Sequence, residues 1–189
     1  MDKKLITFLK KLKAYGLEND IPNITERNGR FLNILIKISG SKKVLEIGSA
    51  NGYSTIWLAD TVKQNKGKIT SIDFSKPTFE SAKENLEKVG LSDVVEHRFG
   101  DAVEVIPVIE SPKLFDFVFV DGQKRQYWDF WLAIKGRLSK KAIVVFDDVL
   151  SFPHKTKEFM EKIKKVKGFE QVVLPIDGDD GVLLLTTSP

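Results

Sequence analysis

The fold of this chain is decided by one stretch, Lys43-Val44-Leu45-Glu46-Ile47-Gly48-Ser49-Ala50-Asn51-Gly52-Tyr53-Ser54. A short apolar run leads into a glycine-rich turn and then into helical spacing, which predicts a strand, a tight turn and a helix. Gly48 and Gly52 carry no Cβ, so the backbone between them can turn sharply and approach a ligand. Their GxxxG spacing is neither the GxGxxG of dinucleotide sites nor the GxxxxGK of nucleotide triphosphate sites. The stretch therefore matches neither of these two phosphate-binding patterns.

The same alternation of apolar strands and helical segments continues to the end of the chain. The predicted strands are Lys43–Ile47, Lys68–Asp73, Val94–Phe99, Phe115–Asp121, Ala142–Asp147, Gln171–Pro175 and Val182–Thr187. The predicted helices between them are Tyr53–Lys63, Lys76–Val89, Ala102–Glu110, Lys124–Leu138 and Lys155–Val166. Since parallel strands need crossover helices, this pattern predicts an α/β fold with a doubly wound, mostly parallel seven-stranded sheet and helices on both faces. Only a turn separates the last two strands, which predicts a C-terminal antiparallel hairpin.

Two more helices precede the first strand. They are predicted at Lys3–Tyr15 and Thr25–Ile38, so that residues 1–40 form a helical cap and residues 41–189 form the core of a single domain. The first helix carries a leucine stripe opposite a row of lysines. This pattern favours a helix that covers the sheet or a partner subunit, as in a homodimer, over one that lies on a membrane or on RNA.

Composition limits the classes of function. The chain has 42% hydrophobic and 30% charged residues, which is typical of a globular domain. It has no cysteine and two histidines, which excludes disulfides, thiolate metal sites and a three-histidine zinc site. No apolar run reaches the roughly 18 residues of a membrane span, and no signal peptide is evident, so we expect a cytoplasmic protein. The net charge of +4 is compatible with an RNA substrate, but a lysine-rich solvated surface explains it better.

Acidic residues stand where several predicted strands end, the edge at which open parallel sheets bind their ligands. Asp73 ends the second strand, and an acid in this place can accept hydrogen bonds from both hydroxyls of a ribose. Gly100-Asp101-Ala102 follows the third strand, where the acidic turn could meet an adenine edge. Glycines at turns between strands and helices often have a purely structural role. The acids Glu46, Asp73 and Asp101 at successive strand ends, together with the glycine-rich turn, nevertheless favour a site for a nucleoside cofactor.

The Val44–Ser54 segment resembles the first motif of class I S-adenosylmethionine-dependent methyltransferases. It is most similar to the cation-dependent O-methyltransferases, the group that contains catechol O-methyltransferase, and the resemblance runs from about Pro22 to the C-terminus. It includes residues 24–32 and 174–181. The resemblance implies a Rossmann-like fold and S-adenosylmethionine as cofactor. The residues that it implies for the cofactor are Glu46, Gly48, Ser49, Gly52, Tyr53, Ser54, Asp73, Phe74, Gly100, Asp101, Ala102 and Asp121.

A second part of the resemblance concerns a metal ion. The segment 121–127 matches the family pattern Asp-x-x-Lys-x-x-Tyr, and Asp147-Asp148 stands where the family usually has Asp-Asn. The match implies Mg²⁺, or another divalent cation, held by Asp121, Asp147 and Asp148. Neighbouring strands lie about 4.8 Å apart, so carboxylates at their ends can share one hard cation. The alternative is that these acids are ordinary exposed turn and cap residues.

The resemblance also implies a chemistry. The methyl acceptor must approach an oxyanion, yet a phenolic hydroxyl has a pKa of about 10. Lys124, next to a cation and partly desolvated, would take the proton with a lowered pKa or steady the developing charge, and Asp121 shares the catalytic site with it. Tyr127, Trp128 and Trp131 on the same helix could wall the substrate, although core packing explains Trp128 and Trp131 equally well.

The acceptor is the open part of this interpretation. The segment after Asp148 is short where relatives carry a longer substrate-covering insertion. The primary hypothesis is an O-methyltransferase for a small hydroxylated, aromatic acceptor. Two alternatives stay open, namely methylation of a hydroxylated nucleoside in tRNA and a non-catalytic protein that binds S-adenosylmethionine.

Overall fold

A computed structural model describes residues 1–110, 114–178 and 180–187, and within these ranges seven strands form one sheet. They are β1 (Lys43–Ile47), β2 (Lys68–Asp73), β3 (Val95–Phe99), β4 (Phe115–Val120), β5 (Leu138–Phe146), β6 (Phe169–Asp177) and β7 (Asp180–Thr187). Their order across the sheet is β3-β2-β1-β4-β5-β7-β6. The first five strands pair in parallel, whereas β7 is antiparallel to both β5 and β6. The predicted doubly wound sheet with its C-terminal hairpin is confirmed.

The helices cover both faces of this sheet. They are α1 (Lys3–Glu18), α2 (Glu26–Ser39), α3 (Tyr53–Gln64), α4 (Lys76–Lys88), α5 (Ala102–Val108), α6 (Tyr127–Ile134) and α7 (Pro153–Ile163). The Thr25 hydroxyl accepts a hydrogen bond from the Asn28 amide at 3.1 Å, which fixes the start of α2. None of the helices in the described ranges has the length and apolar character needed to cross a bilayer.

Two apolar cores lie on opposite faces of the sheet. Along β1, Val44 points into the core under α1, α2 and α3, while Leu45 points into the core under α5, α6 and α7. This alternation follows from the two-residue period of a strand, and it explains why the central strands are apolar throughout. Leu9 and Leu12 of α1 are buried in the first core. The leucine stripe of α1 therefore packs into the interior of this chain, with α3 as a neighbour.

The structure corrects one predicted helix. The range Lys124–Leu138 is not a single helix, because single 3₁₀ turns at Lys124–Gln126 and Lys135–Arg137 flank α6, and Leu138 already begins β5. β5 begins at Leu138, before the predicted start at Ala142. The prediction missed the first residues of β5 because they include exposed Lys140 and Lys141 and lack the apolar run that marks a buried strand. These residues extend past the edge of the core, where lysines stay solvated.

Smaller differences concern the ends of elements. Asp121 and Asp147 were predicted as the last residues of their strands, but β4 and β5 end one residue earlier, so that both acids belong to the turns. The strand predicted at Gln171–Pro175 extends over Phe169–Asp177, because β7 pairs with it almost throughout. In the predicted turn between the last two strands, Asp179 lies outside the described residues.

The strand order reverses between β1 and β4, and the turns after these two strands touch. Gly48 has a φ of +93°, which side chains rarely adopt. A Cβ on Gly48 would stand 2.4 Å from the carbonyl oxygen of Asp121. The absence of a side chain at Gly48 therefore lets the two turns pack together at the switch point, where α/β sheets bind ligands.

We predict that Gly48→Ala lowers the free energy of unfolding by about 2–4 kcal/mol, since it adds a clash with backbone to an unfavourable φ. The matched control is Gly136→Ala, because a Cβ at Gly136 meets no atom within 4 Å. Urea denaturation of both variants measures the difference. Equal stability of the two variants would contradict the close contact between the turns.

Candidate active site

A cavity of about 620 Å³ opens at the carboxyl ends of the strands, next to the switch point. Its lining collects most of the residues predicted for the site, namely Gly48, Ser49, Ser54, Asp73, Phe74, Gly100, Asp101, Ala102, Asp121, Lys124, Asp147 and Asp148. The sheet thus brings together residues that are up to 100 positions apart in the sequence. Of the predicted residues that the structure describes, Glu46, Gly52 and Tyr53 stand behind this lining.

Glu46 is a fully buried polar centre. Its carboxylate accepts hydrogen bonds from the hydroxyls of Ser54 at 2.7 Å, Thr55 at 2.6 Å and Ser71 at 2.6 Å. These bonds tie the first turn of α3 to β1 and β2. Burial raises the pKa of Glu46 to about 7, although the three hydroxyls act in the opposite direction.

Asp73 binds the backbone of the glycine-rich turn. Its Oδ2 accepts hydrogen bonds from the amides of Ser49 at 3.0 Å and Ala50 at 2.8 Å. Its Oδ1 accepts one from the Ser75 amide at 2.8 Å. The contacts with the hydroxyls of Ser49 and Thr78 are longer, at 3.4 Å and 3.3 Å. A single carboxylate therefore sets the shape of the turns after β1 and β2.

The end of the cavity next to Asp73 also carries an aromatic ring and a second acidic turn. Phe74 lines the cavity and keeps 57% of its surface exposed. Asp101 caps α5 by accepting a hydrogen bond from the Val103 amide at 2.9 Å. Its other oxygen accepts one from the Gln126 side chain at 3.3 Å. The ring and the capped turn border the part of the cavity next to Asp73.

At the opposite end of the cavity, three carboxylates converge. Oxygens of Asp147, Asp148 and Asp180 lie within 4.8 Å of one another. Burial raises the pKa of Asp147 well above its ordinary value, and the neighbouring acids add to this effect. Burial and Asp148 likewise raise the pKa of Asp180 to about 6. So much negative charge in a partly buried place fits a hard divalent cation, which prefers oxygen ligands.

Asn28 adds to this evidence from α2. It is 1% exposed, and its side-chain nitrogen Nδ2 donates a hydrogen bond to Asp147 Oδ1 at 2.7 Å. Its Oδ1 is buried, and no partner for it lies among the described residues. A polar group in this state is unusual in a folded protein, and it marks the neighbourhood of Asp147 as a place for a further polar ligand.

The sequence pattern did not identify Asp180. We interpreted the segment 177–181 as a turn, because its glycines and acids are turn-forming residues. Asp180 instead begins β7, which lies next to β5 and thereby approaches the turn at Asp148. Its side chain accepts a hydrogen bond from the Ser151 hydroxyl at 3.0 Å. The run of acids in this segment was the one available signal.

Lys124 joins two of the predicted acids. Its Nζ lies 2.6 Å from Asp121 Oδ1 and 2.8 Å from Asp148 Oδ2. Burial acts against the charged form, but the two carboxylates outweigh it and raise the pKa of Lys124 above its ordinary value. This corrects the expected lowering of the Lys124 pKa, because the fold places two anions against the ammonium.

The aromatic residues after Lys124 have a structural role. Tyr127 and Trp131 are 0% and 1% exposed and pack in the core, so they do not wall the cavity. The Tyr127 hydroxyl donates a hydrogen bond to the carbonyl oxygen of Asp147 at 2.8 Å. The helix thus holds the turn that carries Asp147.

The connection between α1 and α2 forms a roof that sequence reasoning missed. Residues 20–25 line the cavity, although their sequence indicates only a break between helices. Lys13 of α1 holds this segment by donating hydrogen bonds from its Nζ to the carbonyl oxygens of Asn23 and, at 3.0 Å, Ile24. The roof therefore belongs to the first 40 residues and not to the sheet.

Residues 2–185 match the model of a family described as O-methyltransferase. A catechol O-methyltransferase of Niastella koreensis is 31% identical over 133 residues, which cover 68% of this chain and 58% of that protein. One of Mycobacterium tuberculosis is 32% identical, over 67% of this chain and 57% of that protein. A caffeoyl-CoA O-methyltransferase of Nicotiana tabacum is 31% identical, over 65% of this chain and 52% of that protein. The chain thus spans between about half and three-fifths of the length of these curated relatives.

Solved structures agree with the fold. An O-methyltransferase from Bacillus cereus in complex with SAH superimposes with a TM-score of 0.88 at 24% identity, covering 96% of this chain and 91% of that chain. The O-methyltransferase TomG from Streptomyces achromogenes, in complex with SAM, gives a TM-score of 0.86 at 24% identity, covering 100% and 91%. At this identity the likeness establishes the fold, and the predicted Rossmann-like class is confirmed.

We predict that Glu46 makes the protein less stable as the pH rises. The pKa of Glu46 is raised from 4.5 to about 7. The stability that the neutral acid contributes is thus present below about pH 4.5 and is lost as the pH rises through about 7. A shift of one pKa unit corresponds to 1.36 kcal/mol. Between pH 4.5 and pH values above 7, the free energy of unfolding of the wild type should therefore fall by about 3 kcal/mol relative to that of Glu46→Gln. Urea denaturation at pH 5, 6, 7 and 8 measures the difference, and a constant difference would contradict the buried, neutral acid.

Proposed function

Because the chain belongs to the O-methyltransferase family, we propose that it transfers a methyl group from S-adenosylmethionine to a hydroxyl of a small aromatic acceptor, with the help of a divalent cation. The observation that carries this proposal is the cavity at the switch point. It joins the Asp73 turn at one end to the Asp147 cluster and Lys124 at the other. The proposed nucleoside site and the acidic cluster would thus share one cavity.

The Asp73 end suits the nucleoside part of the cofactor. The long contact of Asp73 with the Thr78 hydroxyl, at 3.3 Å, is one that a ribose hydroxyl would replace at little cost. Phe74 offers an exposed ring on which an adenine would stack. Gly48 keeps the turn free of a Cβ where the backbone meets the ligand. When bound, S-adenosylmethionine supplies the methyl group as an electrophile.

The acidic end suits a divalent cation such as Mg²⁺. Asp147 and Asp148 would hold it, together with Asp180 from β7 and with Asp121 on the other side of Lys124. Asp148 stands where the family usually has an asparagine, which adds a negative charge. When bound, the cation supplies positive charge next to the acceptor hydroxyl.

Lys124 supplies a fixed positive charge at the same place. As an ammonium it has no lone pair to accept a proton, so its raised pKa favours charge stabilisation over the role of base. Asp121, its catalytic partner in this proposal, orients the ammonium through the 2.6 Å contact. The developing charge on the acceptor oxygen would then form next to a preorganised cation.

The acceptor would enter under the roof of residues 20–25. Catechol and caffeoyl-CoA are the acceptors in the names of the similar proteins, which supports a phenolic hydroxyl. The segment between Asp148 and α7 is only four residues long, at 149–152. The roof, and not this segment, would therefore determine which acceptors fit.

The proposal predicts metal-dependent methylation. Purified protein with S-adenosylmethionine, Mg²⁺ and catechol or caffeoyl-CoA should give a methylated product by mass spectrometry, and EDTA should abolish it. Asp147→Asn should lower turnover at least 100-fold, because it removes a charged ligand, while binding of S-adenosylhomocysteine by calorimetry stays within threefold. Asp129→Asn, at an exposed acid of α6, is the matched control. Unchanged turnover in EDTA would contradict the role of the metal, and absence of cofactor binding would contradict the proposed function.

Lys124→Met should lower kcat by a factor of about 100–1,000, since it removes one preorganised charge from the transition state. Lys124→Arg should recover part of the loss because it keeps the charge. Lys135→Met, at an exposed lysine after α6, controls for the loss of a lysine elsewhere. Initial rates with a saturating acceptor measure the effect. Equal rates for Lys124→Met and Lys135→Met would exclude the assigned role.

A further inference from the structure

His97 lies in the middle of β3, directly behind the glycine-rich turn. Its Nε2 is 2.9 Å from the Ser49 hydroxyl oxygen. Its ring stacks on Phe79 of α4, with centroids 4.1 Å apart and planes at 27°. No pattern in the sequence singles out this residue. The stack fixes the orientation of the ring, so that one of its nitrogens faces the turn that contacts Asp73.

The surroundings of the ring indicate its protonation state. Burial lowers the pKa of His97 to about 4, so the imidazole is neutral at pH 7. Nδ1 is buried, and no hydrogen-bond partner for it lies in the described part of the chain. A proton on Nδ1 would be an unpaired buried donor, which proteins avoid more strictly than an unpaired acceptor. The Nε2–H tautomer is therefore favoured.

This tautomer gives the contact a direction. His97 Nε2–H donates to the Ser49 oxygen, and the Ser49 hydroxyl proton is left to point at Asp73 Oδ2, 3.4 Å away. The opposite direction would withdraw that proton from Asp73. A chain of three side chains then runs from β3 through the glycine-rich turn to the carboxylate that ends β2.

We propose that His97 is a positioning residue for the cofactor site, which holds the Ser49 hydroxyl toward Asp73 and thereby keeps the carboxylate oriented for the ribose. The inference rests on the proposed function, since it takes Asp73 as the group that binds the cofactor. His97 itself is not among the residues that line the cavity, so it acts through Ser49.

A double-mutant cycle tests this role. The variants are His97→Phe, which keeps an aromatic ring for the stack, Ser49→Ala, and the two combined. We expect each single change to weaken binding of S-adenosylhomocysteine, measured by calorimetry, by about 5–10-fold. The double variant should bind no more weakly than Ser49→Ala alone. The proposal would be overturned if His97→Phe lowered the affinity for S-adenosylhomocysteine by the same factor in the wild type and in the Ser49→Ala variant.

A conservative variant separates positioning from a merely structural role. His97→Gln retains a side-chain N–H donor and should recover at least half of the lost affinity in logarithmic terms. A variant that only disturbed the packing would gain nothing from that donor. Should His97→Phe fail to fold, the glutamine variant with and without Ser49→Ala carries the same test, and equal affinities for His97→Gln and His97→Phe would count against the proposal.

Nitrogen NMR of the wild type gives a readout that is independent of affinity. The chain has two histidines, so His97→Gln assigns the signals by removing one set. We expect the neutral Nε2–H tautomer for His97 at pH 7, and the Nδ1–H tautomer or an imidazolium would overturn the inference. If the wild type binds S-adenosylhomocysteine and the His97 variants bind it equally well, this inference alone fails. Absence of binding by the wild type would overturn the proposed function and this inference with it.

Discussion

The contact between the turns after β1 and β4 is the constraint on which the rest of the structure depends. A single Cβ at Gly48 would stand 2.4 Å from the Asp121 carbonyl oxygen, so these two strand ends can meet only around a glycine. Their meeting closes the bottom of the cavity. It sets the glycine-rich turn, which Asp73 holds by its amides, beside the turn that carries Asp121 and Lys124. The site is thus a consequence of how the sheet reverses its strand order.

Carboxyl groups are arranged around this contact in two different ways. Glu46 and Asp73 are surrounded by hydroxyl and amide donors, which hold the turns in shape. Asp147, Asp148 and Asp180 instead face one another, and Lys124 is a nearby counter-charge. Burial and the neighbouring acids raise the pKa of Asp147 and of Asp180 although Asn28 and Ser151 donate hydrogen bonds to them, and a bound cation would relieve this cost. The first arrangement supports the fold, while the second is the one that the proposed cation would occupy.

Prediction from sequence succeeded where local pattern and tertiary packing agree. The apolar strands, the GxxxG turn and the acids at strand ends are periodic or adjacent features, so they predicted the sheet, and most of the residues predicted for the site line the cavity. It failed where distant segments meet. Asp180 lies 32 positions from Asp148 and resembles a turn residue, and the roof at 20–25 resembles a helix break. The Lys124 pKa depends on the distances to two acids, one of which is 24 positions away.

The sequence by itself determined the order of strands and helices along the chain, because hydrophobic period and turn chemistry are encoded locally. Its motifs also resemble those of the family to which the chain belongs. Only the tertiary structure decided which carboxylates share a site and which way the Lys124 pKa moves. It also showed that His97 stands behind Ser49. Electrostatic and hydrogen-bond energies depend on distances of a few ångströms between groups on separate elements, and no local pattern specifies such distances.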